Sequence, residues 1–135
     1  MFVRYAFLAD TATADAGGKL YAMGIFDNIL TTQFPAHHPE LTLVARIEGT
    51  VAEKGSHKIS IELRDSDSNR LHSFDQTLVF SERPAVHGNF LAGLIVKFQT
   101  LTFPRAGQYE FVLFGDDRFL VRIHFTVQKI NIQND

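Results

Sequence analysis

The sequence predicts an all-β domain, an antiparallel sandwich of two sheets built from about eight or nine strands, on three observations. Apolar and polar residues alternate with a period of two in several separate runs, the spacing that sends successive side chains to opposite faces of a strand. Clusters of Gly, Pro, Asn, Asp and Ser interrupt the runs at intervals of roughly 10 to 15 residues, the cadence of hairpin-linked strands. Strand and helix patterns do not alternate, which argues against a parallel sheet of βαβ units.

The first run, Val3 to Ala9, carries Val3, Tyr5 and Phe7 at period two and is apolar on both faces. Leu20 to Leu30 is also apolar on both faces, and Gly24 in its interior disfavours a helix there by roughly 1 kcal/mol relative to Ala. From Glu40, residues Leu41, Leu43, Ala45 and Ile47 share one face while Thr42, Arg46 and Glu48 share the other, with Val44 the exception. The cleanest alternation puts Ile59, Ile61 and Leu63 against Lys58, Ser60, Glu62 and Arg64. Leu71 to Phe80 continues the series through Phe74, Leu78 and Phe80. Phe90 to Phe98 and Tyr109 to Phe114 are apolar on both faces, as in central or covered strands. Gln99 to Phe103 reads as a separate short strand or as a continuation of the run before it. In the last run Phe119, Val121, Ile123, Phe125 and Val127 oppose Arg122, His124, Thr126 and Gln128.

Turns are expected at Asp15 to Gly18, Phe34 to Pro39, Glu53 to Ser56, Asp65 to Asn69, Arg83 to Asn89, Pro104 to Gly107 and Gly115 to Asp117. Fraying is expected at Asn131 to Asp135. The predicted core includes Leu43, Ile61, Leu63, Phe111, Val121, Ile123 and Phe125.

A length of 135 residues suits one domain spanning 1–135. At 45% hydrophobic and 21% charged, the chain has material for a core and lacks the composition of disorder. Its 13 Phe, 3 Tyr and absence of Trp favour aromatic packing over the polar-tipped rings that sugar sites use. The formal net charge is -2 and Lys and Arg are scattered singly, so nucleic acid is not an expected partner. No apolar run approaches the roughly 20 residues of a membrane span, so neither is a membrane. The apolar stretch Tyr5 to Ala9, cut by Asp10, is shorter than the roughly 7 to 15 residues of a signal-peptide core, so no signal peptide is expected. Without Cys there is no disulfide, thiolate nucleophile or thiolate metal site, and a cytoplasmic location is the expectation.

The segments Arg4-Tyr5-Ala6-Phe7-Leu8-Ala9-Asp10, Gly18-Lys19-Leu20, Met23-Gly24-Ile25-Phe26-Asp27, Phe34-Pro35, His38-Pro39 and Leu41-x-Leu43 resemble an uncharacterised family of small bacterial proteins, as does Phe103-Pro104-x-x-Gly107-x-Tyr109-x-Phe111. The resemblance spans most of the chain and implies a domain of unknown function, with no assigned activity. The Pro104-x-x-Gly107-x-Tyr109-x-Phe111 element also resembles the hairpin that closes many immunoglobulin-like sandwiches. It implies an immunoglobulin-like fold and nothing about chemistry.

Asp65-Ser66-Asp67-Ser68-Asn69 has the alternating oxygen spacing of a calcium loop, but Arg70 stands where the loop needs Gly and Gln76 where it needs Glu. A solvated hairpin turn explains it as well. A cation site made of two loops would join Asp65 and Asp67 to Asp116 and Asp117, the candidate metal ligands. It requires Phe90 to Phe103 to be two strands, because one continuous strand puts the loops at opposite ends. His37 and His38 are adjacent and so point apart in extended backbone; an exposed Pro-bounded loop is expected there instead of a metal site. There is no GxSxG, no phosphate-binding Gly loop and no HExxH, so no catalytic residue and no cofactor is expected. Arg4, Asp10, Asp27 and Arg46 stand within or at the ends of apolar strands, where a wet face or a structural ion pair accounts for them.

The function these features predict is a non-enzymatic module that binds another protein or itself as a homodimer, because two-sided apolar strands leave a face to cover. The expected interface is the reverse face of the Phe90 to Phe98 strand, at Leu91, Gly93 and Ile95, unless one of the chain's own loops covers it. The alternative is a small-ligand or ion-binding domain using loops at one end of the sandwich.

Overall fold

Every period-two run forms a strand in a computed structural model that describes residues 1–81 and 86–131. The strands are β1 (Phe2–Ala14), β2 (Leu20–Phe26), β3 (Asn28–Thr31), β4 (Ala36–Gly49), β5 (Gly55–Arg64), β6 (Arg70–Phe80), β7 (Phe90–Phe103), β8 (Gly107–Gly115) and β9 (Arg118–Lys129). Short 3-10 turns lie at Val51–Glu53 and Val86–Gly88, and no α-helix occurs among the described residues. One sheet has four strands in the order β2-β1-β4-β7, the other five in the order β3-β9-β8-β5-β6.

The inner faces of the two sheets make the core. Leu41, Leu43, Ala45 and Ile47 of β4 and Leu94, Val96 and Phe98 of β7 meet Ile59, Ile61 and Leu63 of β5, Phe111 and Leu113 of β8, and Ile123 and Phe125 of β9. The rings form a connected series: Phe111 stacks on Phe98 at 5.2 Å and on Phe125 at 5.5 Å, and Phe103 meets Tyr109 edge-on at 5.0 Å. Of the predicted core, Val121 alone is only half-buried; it packs against the rim.

Several expectations change. Leu20 to Leu30 is two strands in different sheets, because the chain crosses between sheets at Asp27, whose carbonyl accepts from Thr126 N at 3.0 Å. β3 then runs parallel to β9, pairing Asn28 with Thr126 and Thr31 with Lys129, which is the exception to the antiparallel pattern among the described strands. Phe90 to Phe103 is one strand, paired in constant register with the equally long β4 from Gly49↔Phe90 to Ala36↔Phe103. His37 and His38 lie in β4 and not in a loop; His37 Nδ1 is 3.1 Å from Thr102 Oγ1, while His38 is half-buried beside Phe26 with Nε2 unpartnered. Phe119 turns outward because a register shift between Leu113 and Phe114 sets it opposite Phe114, with Arg122 over its ring at 4.9 Å. The expected turn at Arg83 to Asn89 and the frayed tail lie in part outside the described residues.

Candidate interaction surface

β1 is longer than its partner needs. Phe2 to Ala9 pair with β4, and the strand then continues to Ala14 in a hairpin with β2. Asp15 closes that hairpin: its Oδ1 accepts from Gly17 N and Lys19 N, its Oδ2 accepts from Tyr21 Oη, and Gly18 takes a φ of 86°. The backbone bond from Lys19, with Tyr21 next, holds the Asp15 carboxyl below its usual range.

The hairpin tip leans over the outer face of β4 and β7. Arg46 Nη2 donates to Gly18 O at 2.7 Å and its Nε to Tyr5 Oη at 3.4 Å, while Asp10 O accepts from Thr42 Oγ1 at 3.5 Å. Leu20 lies so close that a Cβ on Gly93 would stand 3.1 Å from its Cδ2. The expected interface of Leu91, Gly93 and Ile95 is therefore partly roofed by the chain itself: Leu91 and Ile95 are half-buried, and Leu91 lines a cleft with Arg4, Tyr5, Gly17, Gly18, Lys19 and Arg46. Arg4 pairs with Glu48 at 3.5 Å and Arg46 holds the hairpin, so these two cations have structural partners.

The acidic loops do not come together. In the β5/β8 ladder Ile59 lies opposite Gly115 and Arg64 opposite Glu110, so Asp116 and Asp117 sit at the start of β5 while Asp65 and Asp67 follow its end. A cation site using all four is not assembled, for the reason the continuous β7 implies. Asp65 is 8% exposed and is saturated by its own turn: it accepts from Asp67 N and Asn69 N at 2.9 Å each and from Asn69 Nδ2 at 3.2 Å, with Arg105 3.4 Å away. Burial raises its pKa, but the Asn69 and Asp67 hydrogen bonds and the Arg105 charge outweigh it and leave the carboxyl below its usual range. Asp116 accepts from Lys58 N and faces His57 at 2.6 Å, and Asp117 pairs with Lys58 Nζ at 3.1 Å. Among the described residues no group of three or more His, Asp or Glu is placed to hold a metal ion.

Among the described residues, β2 is an edge strand that carries exposed apolar side chains. It pairs with β1 on one side and ends the four-stranded sheet on the other. Tyr21, Met23 and Ile25 are 50%, 71% and 63% exposed. Leu30, exposed on β3, lines a shallow groove with Ile25 and Gly24. Natural edges are usually blocked by charge, proline or brevity. β6 carries Arg70 and Asp75, β7 carries Lys97, and β3 has only four residues. β2, Leu-Tyr-Ala-Met-Gly-Ile-Phe, has neither a charge nor a proline; its irregularity is the 72° φ of Gly24, over which the Asp10 carboxylate folds. In the sequence this run is apolar on both faces, the pattern of a covered strand, whereas in the structure it is an edge. No local signal marks it as one, because freedom from charge between Lys19 and Asp27 also fits a covered strand.

A comparison with curated proteins finds no match. A family match does exist, and it covers the edge strand, the roofing hairpin and both sheets: the chain belongs to DUF6941, a family of unknown function, which it matches over residues 4–128.

Proposed function

We propose that this protein is a non-enzymatic interaction module that binds a protein partner along the β2 edge. The observation that carries the reading is the unblocked strand Leu20–Phe26, with Tyr21, Met23 and Ile25 exposed along it. An extended segment added there would gain main-chain hydrogen bonds from the free edge and side-chain contacts from alternate residues. The reading is also supported by where the perturbed ionisable groups sit. Asp15, Asp65 and Asp116 each close a hairpin, and His57 and Lys58 pair with the β8/β9 turn, so these groups serve the fold.

Within this proposal the sandwich is read as immunoglobulin-like. The reading is supported by the parallel β3/β9 pair and by Tyr109, whose hydroxyl donates to Arg105 O at 2.6 Å, a bond of the tyrosine-corner kind. A cytoplasmic setting suits the cysteine-free composition.

The test is a photo-crosslinking amino acid placed at Met23, with exposed Asp75 on β6 as control, in cells of the native host. A discrete protein adduct from position 23 and none from position 75 is expected. No adduct from position 23, or the same adducts from both, would overturn the reading.

A further inference from the structure

We propose that the partner of the β2 edge is a second copy of this chain, paired antiparallel across a two-fold axis at Met23, with Lys19 of each copy opposite Asp27 of the other. The inference rests on the reading of β2 as the docking edge and deepens it by naming the occupant.

The argument is self-complementarity. β2 is uncharged from Leu20 to Phe26, and the residues that flank it carry opposite charges, Lys19 before and Asp27 after. Both flanking residues are exposed, and among the described residues neither side chain has an ion-pair partner. Met23 lies midway between them in sequence. An antiparallel ladder centred on Met23 therefore sets Lys19 against Asp27 at both ends at once, and directly opposed charges of unlike sign stabilise such a pair. The same register matches the rest of the strand. Met23 meets Met23, exposed Tyr21 meets exposed Ile25, and Ala22 meets Gly24, two small residues where the φ of Gly24 is 72°. Leu20 meets Phe26. Sliding the register by two residues removes both charge pairs, setting Lys19 against Ile25 in one direction and against Ile29 in the other.

Such a contact is isologous, so it closes as a dimer and does not propagate into a fibre. The two four-stranded sheets would join through their β2 edges into one continuous sheet, with β7 at each outer end. Seven residues per chain from Leu20 to Phe26, at about 3.4 Å each, give a ladder roughly 24 Å long, with Lys19 and Asp27 flanking it. Tyr21, Met23 and Ile25 from both copies then form one apolar strip, and the Lys19 and Asp27 pairs close its ends.

The test is sedimentation velocity over a concentration series on the wild type, Lys19→Asp, Asp27→Lys and the double exchange. Thermal unfolding of each confirms folding, since Lys19 and Asp27 bond within the fold through their backbones. The wild type is expected to be a reversible dimer. Each single exchange turns two attractive pairs into two repulsive ones and should raise the dissociation constant about tenfold or more, and the double exchange should restore it. A wild type that stays monomeric, or a dimer indifferent to the exchanges, overturns the proposal. The crosslink at position 23 separates the two readings. An adduct at twice the chain mass supports both, and an adduct with a different protein sinks self-pairing while leaving β2 as the docking edge. No adduct sinks both.

Discussion

The His57 imidazole stands between two acceptors, with Nδ1 2.6 Å from the Asp116 carboxylate and Nε2 against the carbonyl oxygen of Glu53, so only the doubly protonated ring satisfies both. Asp116 also holds the Lys58 backbone: its Oδ1 accepts from Lys58 N at 3.0 Å and its own N–H donates to Lys58 O at 2.9 Å. One side chain thereby ties the 3-10 turn at Val51–Glu53, the start of β5 and the β8/β9 hairpin. The hydrogen bond to Asp116, then the one to Glu53, raises the His57 pKa above 6.5, and the same bond from His57 lowers that of Asp116 below 3.8.

This sets a pH dependence. A raised folded pKa at His57 gives stability that is complete below the unfolded value of about 6.5 and is lost as pH rises through the folded value. The lowered pKa of Asp116 acts oppositely, giving stability above about 3.9 that is lost as pH falls through its folded value. The wild type should therefore lose thermal stability relative to His57→Gln as pH rises above about 6.5. Parallel pH dependences for the two proteins above that pH would show that the fold does not favour the charged ring.

Ile61 and Phe125 test the face assignment. Ile61 is fully buried and Phe125 is 2% exposed among Phe103, Tyr109 and Phe111. Truncating either to Ala should destabilise the domain by about 2 to 5 kcal/mol in denaturant titration. Losses below about 1 kcal/mol at both would contradict the packing.

Gly49 tests close approach in the core. A Cβ there would fall 2.4 Å from Phe80 Cε2, and Phe80 is 1% exposed. Gly49→Ala should destabilise by about 1 to 3 kcal/mol through overpacking. Adding Phe80→Leu should cost less in that background than in the wild type, and strict additivity would show that the two positions do not touch.

Arg46 tests the roof over β4 and β7. Arg46→Met removes the bonds to Gly18 O and Tyr5 Oη, and hydrogen exchange should quicken at the Asp15 and Gly18 amides, which bond across the turn. The local loss should be about 0.5 to 1.5 kcal/mol, with exchange in β5 and β8 unchanged. Unchanged protection at the turn would mean that Arg46 does not seat the hairpin.

The two acidic positions of the β5/β6 turn should separate cleanly. Asp65→Ala strips the backbone amides of Asp67 and Asn69 of their acceptor and should lower the thermal midpoint, whereas exposed Asp67→Ala should leave it nearly unchanged. Calcium should not shift the midpoint of the wild type. A calcium-dependent rise abolished by Asp67→Ala would restore the loop as a cation site.

The strands and most of their inward faces are legible in the sequence, because period-two alternation is a local consequence of strand geometry and burial on one side. Leu43, Ile61, Leu63, Phe111, Ile123 and Phe125 could be placed that way before any partner strand was known. What lies beyond one strand's reach is set by how the strands pair and pack. A register shift after Leu113 turned Phe119 outward, and the length of β4 kept Phe90 to Phe103 as one strand and so parted Asp65 from Asp116. The same held for the surface. Leu91, Gly93 and Ile95 read as open from their own segment, and the β1/β2 hairpin, distant in sequence, partly covers them. Leu20 to Leu30 reads as one apolar run, but nothing local to those residues says that its first part, Leu20 to Phe26, ends a sheet, since an edge is defined by which strands pair and not by the strand itself.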